Sequence, residues 1–133
     1  MEYLLDTNIC IYIIKKKPIH VFNKLLTIPI GSVGISSITL AELQYGIAKS
    51  SNPSKNEEAL NRFLIPIEII DFGTTATTEY GKIRAELERK GTPIGPLDML
   101  IAAHAKSLNL ILVTNNAKEF ERIVGLKIEN WAL

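Results

Sequence analysis

The chain has 133 residues, enough for one domain that buries its own core without disulfide or metal staples. Apolar residues make up 47% and mean hydropathy is +0.16, yet no apolar run approaches the ~18–20 residues of a membrane span; the longest, Ile9 to Ile14, stops at Lys15-Lys16-Lys17. A net charge of +1 excludes a general polybasic nucleic-acid binder, and the lone Cys10 excludes an intrachain disulfide or a cysteine zinc site. A start of Met1-Glu2-Tyr3, not basic and without a small-residue cleavage site after it, predicts no secretory signal and a cytoplasmic setting. The apolar excess predicts a protein interface, in an oligomer or with a tight partner.

Taken in chain order, a short strand over Tyr3–Leu5 ends at Asp6, and a helix follows through Lys16. A second helix begins after Pro18, and a second strand from near Ser32 includes Gly34-Ile35-Ser36. Thr39 opens a helix to about Lys49, with Leu40, Leu43 and Ile47 on its apolar face. Asn52-Pro53-Ser54 starts the next helix, which ends before Pro66; Ile67–Ile70 is a third strand. A long helix over Thr75–Arg89 stops at Gly91. Pro96 enters the first turn of another, which runs to about Leu108. Leu110–Val113 is a fourth strand, Asn115 or Asn116 caps a short helix, and Lys127–Glu129 forms an edge strand. Strands alternating with helices predict a single α/β domain over residues 1–133 with a mainly parallel sheet.

Ligands of such sheets bind beyond the carboxyl ends of the strands. Asp6 lies directly there, Asp98 lies in the first turn of its helix, and Glu42 and Glu119 lie one turn into the helices after strands two and four. Each has a structural alternative. Asp6 can cap a helix, Thr39–Glu42 and Asn116–Glu119 have capping-box spacing, and Asp98 suits a helix N-terminus. Together they would repel one another, and a hard divalent cation, magnesium or manganese, would relieve that repulsion. His104, six residues after Asp98, points about 120° away from it on a helix and is expected to pack near the domain surface. His20 has no evident partner, and neither a serine nucleophile elbow nor a P-loop is present, which leaves metal-assisted chemistry.

Four blocks occur in order: Leu4-Leu5-Asp6-Thr7-Asn8, Ser37-Ile38-Thr39-Leu40-Ala41-Glu42-Leu43-Gln44-Tyr45-Gly46, Gly95-Pro96-Leu97-Asp98 running on to Ala103, and Leu112-Val113-Thr114-Asn115-Asn116-Ala117-Lys118-Glu119-Phe120. In residues and spacing they resemble the PIN-domain toxins, specifically the VapC proteins of VapBC toxin–antitoxin systems. The likeness spans Tyr3 to Trp131.

That resemblance implies a three-layer α/β/α sandwich around a central, mainly parallel sheet of four or five strands. It also implies a magnesium-dependent endoribonuclease, with manganese as a substitute metal. Asp6, Glu42 and Asp98 match the family's acids, Asp6 and Asp98 as direct metal ligands. Many PIN domains carry an aspartate where this chain has Asn116, and Glu119 stands close enough in sequence to supply the missing charge. Thr7 and Asn8 would hydrogen-bond the acids or the scissile phosphate, and Thr114 would orient Asp6 or a water. Gly46, one turn after Glu42, either admits substrate or marks a tight helix contact.

Water-driven cleavage would leave a 5′-phosphate and a 3′-hydroxyl. The implied substrate is transfer RNA, the initiator species cut in the anticodon region. Lys15–Lys17, Lys82, Arg84, Arg89 and Lys90 are candidate phosphate contacts. Implied partners are a second copy of the chain and a VapB antitoxin. The antitoxin tail would fill an apolar groove and send a basic residue toward the acids, and operator DNA would be bound only through it. Two other readings stay open: a phosphotransfer or phosphatase α/β domain, which lacks its usual Asp-x-Asp here, and a catalytically silent PIN-like interaction module, which Asn116 keeps in play.

Overall fold

The computed structural model describes residues 1–133 and places one sheet between two helical layers. In chain order the elements are β1 (Tyr3–Leu5), α1 (Thr7–Lys15), α2 (Ile19–Leu26), β2 (Val33–Ser36), α3 (Ser37–Ala48) and α4 (Pro53–Leu64). They continue with β3 (Glu68–Ile70), α5 (Thr74–Lys90), α6 (Pro96–Ser107), β4 (Ile111–Val113), α7 (Ala117–Phe120) and β5 (Ile128–Glu129). All five strands are parallel, in the order β3-β2-β1-β4-β5. This is the expected α/β/α sandwich.

The strands read as apolar runs because both faces of the sheet are covered. Alternation along each strand sends Leu4 and Leu112 toward Ile83, Leu87 and Ile101 of α5 and α6. Their neighbours Leu5, Val113 and Ile35 turn to the opposite layer, where Ile9, Ile13 and Leu60 lie. The chain winds outward from β1 to β3, then returns across the other face to place β4 against β1. The carboxyl ends of β1 and β4 therefore flank the point where the winding reverses, the usual place for a ligand crevice in an open α/β sheet.

Local signals set the helix ends. Pro53 and Pro96 occupy first turns, where the missing N–H costs nothing. Gly91 adopts φ 68° and closes α5 by donating to the Glu88 and Leu87 carbonyls. One boundary differs from expectation: α3 begins at Ser37, not Thr39. Ser36 still has extended geometry, and its Oγ accepts the Ile38 N–H at 3.1 Å. The first hydroxyl at the end of the strand takes the cap, and Thr39 enters the helix with its side chain free for another use.

Candidate active site

Asp6 is the first residue past β1, and its N–H donates to the Val113 carbonyl at 2.8 Å, which ties the end of β1 to β4. Its side chain is 4% exposed. Oδ1 accepts the Thr7 N–H at 2.7 Å, and Oδ2 accepts the Thr114 hydroxyl at 2.8 Å. Asp6 does cap α1, as the structural alternative held, but capping uses only one of its oxygens. Each carboxylate oxygen has two lone pairs, so both keep capacity toward the crevice. Thr114 is wholly buried, and its Oγ1 also accepts the Asn116 N–H at 3.0 Å. One hydroxyl thus fixes the orientation of Asp6 and the course of the loop into α7.

The capping boxes do not form. Glu42 Oε1 accepts the Thr7 hydroxyl at 2.7 Å instead of reaching back to the Thr39 amide. Thr7 Oγ1 also lies 3.4 Å from Thr39 Oγ1, and Thr39 is fully buried. Glu119 makes no side-chain bond to Asn116, whose amide is taken by Thr114. Both glutamates are therefore free of helix-end duty.

The four acids lie near enough for their charges to act on one another. Asp98, half-buried in the first turn of α6, has its carboxyl pushed from the ordinary 3.8 to about 6. Burial is the largest cause, followed by the charges of Asp6, Glu42 and Glu119. Asp6 is raised as well: burial outweighs the two hydrogen bonds that favour its anion, and Glu42 adds repulsion. None of the four salt bridges of the chain involves any of these carboxylates. An acid cluster with no basic partner is what a hard cation's oxygen site requires. No three of these side chains stand close enough together to hold a metal ion by themselves.

Other expected residues fare unevenly. Asn8 is exposed and makes no side-chain bond, so it is available to substrate but does not support the acids. Asn115, the alternative cap for the short helix, leaves the cap position to Asn116; it donates from Nδ2 to the Tyr12 hydroxyl at 2.8 Å, while its buried Oδ1 has no partner. His104 corrects the sequence reading: it is 2% exposed and lies in the core, not near the surface. The helix that carries it packs against α5 and the sheet, so a direction away from Asp98 is a direction inward.

A groove of about 300 Å³ adjoins the cluster, lined by Ile11, Ile14, Lys15, Glu42, Leu43 and Gly46 among others. Nothing lies within 4 Å of a Cβ built on Gly46, so this glycine faces open groove and makes no tight helix contact. Among the candidate cations, Lys15 alone lines this groove beside an acid of the cluster. Arg84 is held by Tyr80 and Glu88, and Lys90 by Glu86, all on α5.

The PIN domain family matches residues 3–126. The chain is 52% identical over 132 residues to a protein named Ribonuclease VapC2 from Rickettsia felis, covering 98% of each. It is 47% identical over 132 residues to the tRNA(fMet)-specific endonuclease VapC of Shigella flexneri, covering 99% of each. The structure superposes with a TM-score of 0.93, at 50% identity, on VapBC2 from Rickettsia felis bound to a promoter DNA fragment, covering 98% of this chain and 99% of that one. Superposition on DNA-bound VapBC from Salmonella typhimurium gives a TM-score of 0.93 at 48% identity, with 98% of each covered.

Proposed function

Because the chain belongs to the PIN-domain family, and within it to the VapC ribonucleases, we propose that it is the toxin of a toxin–antitoxin pair, an endoribonuclease dependent on magnesium or manganese. The observation that carries this reading is the unpartnered acid cluster at the switch point of the sheet, with Asp98 raised to about 6 by burial and by the charges of its neighbours. The Shigella relative's name points to initiator transfer RNA as substrate. Cutting in the anticodon region would suit a site that reads unpaired loops. Such a substrate would be met in the cytoplasm.

Asp6 and Asp98 would hold the metal, and their oxygens are the hard donors it prefers. When bound, the metal lowers the pKa of water and offsets charge building on the phosphate. Thr114 and the Thr7 amide hold Asp6 in one orientation. The Thr7 hydroxyl occupies Glu42 Oε1 and leaves Oε2 to orient the attacking water and take its proton. Glu119 supplies the fourth charge at the site where Asn116 is neutral. In-line attack by that water on phosphorus would break the P–O3′ bond, the leaving O3′ taking a proton from solvent, and would leave a 5′-phosphate and a 3′-hydroxyl.

The partners proposed are a VapB-type antitoxin, RNA and a second copy of the chain, with operator DNA bound through the antitoxin. Support comes from the VapBC complexes it resembles and from large apolar side chains left in solvent, Ile30 at 90%, Ile65 at 83% and Leu26 at 67% exposed. No helix is long and apolar enough to cross a membrane.

Induced expression of wild type and Asp6→Ala, with and without a co-expressed VapB-type antitoxin, tests the proposal. Growth arrest by wild type alone, relieved by the antitoxin, is the expected result. Equal arrest by Asp6→Ala would remove cleavage at this cluster as the cause.

A further inference from the structure

The core contains one polar pair that the proposed chemistry does not use. His104 on α6 meets Ser36 at the end of β2, Nδ1 to Oγ, at 2.8 Å. Ser36 is fully buried and His104 nearly so, among the alanines 102, 103 and 105. The same Ser36 oxygen accepts the Ile38 N–H that starts α3. Its own proton then has one acceptor within reach, His104 Nδ1, which assigns the imidazole as neutral with its hydrogen on Nε2. Burial also favours the neutral ring, against the opposing charge of Asp71. Phe72 brackets the pair: its N–H donates to Ser37 Oγ at 3.0 Å, and its ring stands edge-on to the imidazole at 5.4 Å.

The placement matters because both ends of this bond lead to the acids. Asp98 is six residues before His104 on α6, about 9 Å along the axis. Glu42 is six residues after Ser36, on the helix that Ser36 caps. An apolar pair would fill the same space without direction, whereas a hydrogen bond fixes both distance and angle. We infer that the His104–Ser36 hydrogen bond sets the position of α6 against the start of α3, and thereby the spacing of Asp98 and Glu42, making His104 a positioning residue for the acid cluster.

The inference rests on the metal-dependent reading of that cluster, so its test measures metal binding apart from turnover. Purified wild type, His104→Leu, His104→Asn, Ser36→Ala and the His104→Leu/Ser36→Ala double variant are titrated with Mn2+, with free ion counted by electron paramagnetic resonance. Turnover on an RNA oligonucleotide and thermal unfolding are recorded in parallel. Leucine removes the acceptor, while asparagine places Oδ1 where Nδ1 stands. His104→Leu is expected to weaken Mn2+ binding severalfold and to lower kcat at least tenfold with KM little changed. His104→Asn should stay within about threefold of wild type on both. The double variant should be no worse than the poorer single one, since both substitutions break one bond. Wild-type Mn2+ affinity and kcat in a folded His104→Leu overturn the inference. So does an asparagine variant as poor as the leucine one, because packing alone would then account for the loss. If His104→Leu does not fold, Ser36→Ala against His104→Asn decides by the same criteria. A wild type that binds Mn2+ but cuts no RNA sinks the ribonuclease reading and leaves the metal-binding arm to decide the positioning role. A wild type that binds no Mn2+ overturns both.

Discussion

Replacing Asp98 by asparagine should make the metal-free protein more stable while removing its activity. A carboxyl moved from 3.8 to about 6 is charged at neutral pH only against resistance from burial and from Asp6, Glu42 and Glu119. Unscreened, that displacement corresponds to about 3 kcal/mol at ~1.4 kcal/mol per pH unit. Asp98 is half-buried, so solvent screening leaves roughly half. Its charge in the first turn of α6 recovers about 0.3–1 kcal/mol from the helix dipole, which the asparagine variant forgoes. The net gain expected for Asp98→Asn at pH 7 is about 1 kcal/mol, or ~3–5 °C in Tm for a domain of this size. Between 3.8 and 6 the folded state binds more protons than the unfolded one, so this penalty is full above about pH 6 and fades as pH falls. The assay is thermal unfolding of both proteins in chelator at pH 7 and pH 4, then at pH 7 with magnesium. The advantage of Asp98→Asn should shrink at pH 4. Magnesium should raise the Tm of wild type alone, since binding to the folded state adds to its stability. A variant less stable than wild type at pH 7 in chelator would refute the reasoning, because attraction would then hold Asp98 in place.

Thr114→Val strips two hydrogen bonds, to Asp6 and from Asn116. It should cost about 1–3 kcal/mol of stability and reduce kcat at least tenfold, read by denaturant unfolding and RNA cleavage. Metal affinity should track Asp98 ionisation: with a carboxyl titrating near 6, apparent Mg2+ affinity falls about tenfold from pH 7 to pH 5, measurable by calorimetry, and a flat profile would contradict the assignment. Lys15→Ala should raise KM for RNA more than it lowers kcat and should reduce the salt dependence of binding by about one ion. Gly46→Ala has space and should stabilise α3 by up to about 1 kcal/mol, whereas Gly46→Trp should fill the groove and weaken antitoxin binding in a pull-down titration.

Much of this was legible in the amino-acid order because the local signals agree. Apolar runs of three to four residues, Pro at helix starts and Gly91 at a helix stop marked nearly every element within one or two residues. Asp6 and Asp98 were legible because a strand end and a helix start are fixed by local pattern. The start of α3 was not. Ser36, Ser37 and Thr39 can all cap, and only the extended backbone at Ser36 decides among them. That shift changes the meaning of Glu42: a capping-box partner on spacing alone, it is bound to Thr7, 35 residues away, which only the assembled sheet brings near. His104 was misplaced for a related reason. Helical periodicity gives its angle to Asp98 but not which side of the helix is covered. With α5 on one side and the sheet on the other, α6 is buried over most of its circumference, and Ala102, Ala103 and Ala105 were the compositional hint.

The most direct test of the central claim is the chemistry of the cut ends. Purified wild type is incubated with transfer RNA in magnesium, with chelator and Asp6→Ala as controls, and the fragments are ligated and sequenced by methods selective for each end. Metal-dependent hydrolysis at the acid cluster predicts 5′-phosphate and 3′-hydroxyl ends that require both magnesium and Asp6. A 2′,3′-cyclic phosphate, or cutting that persists in chelator, would contradict it.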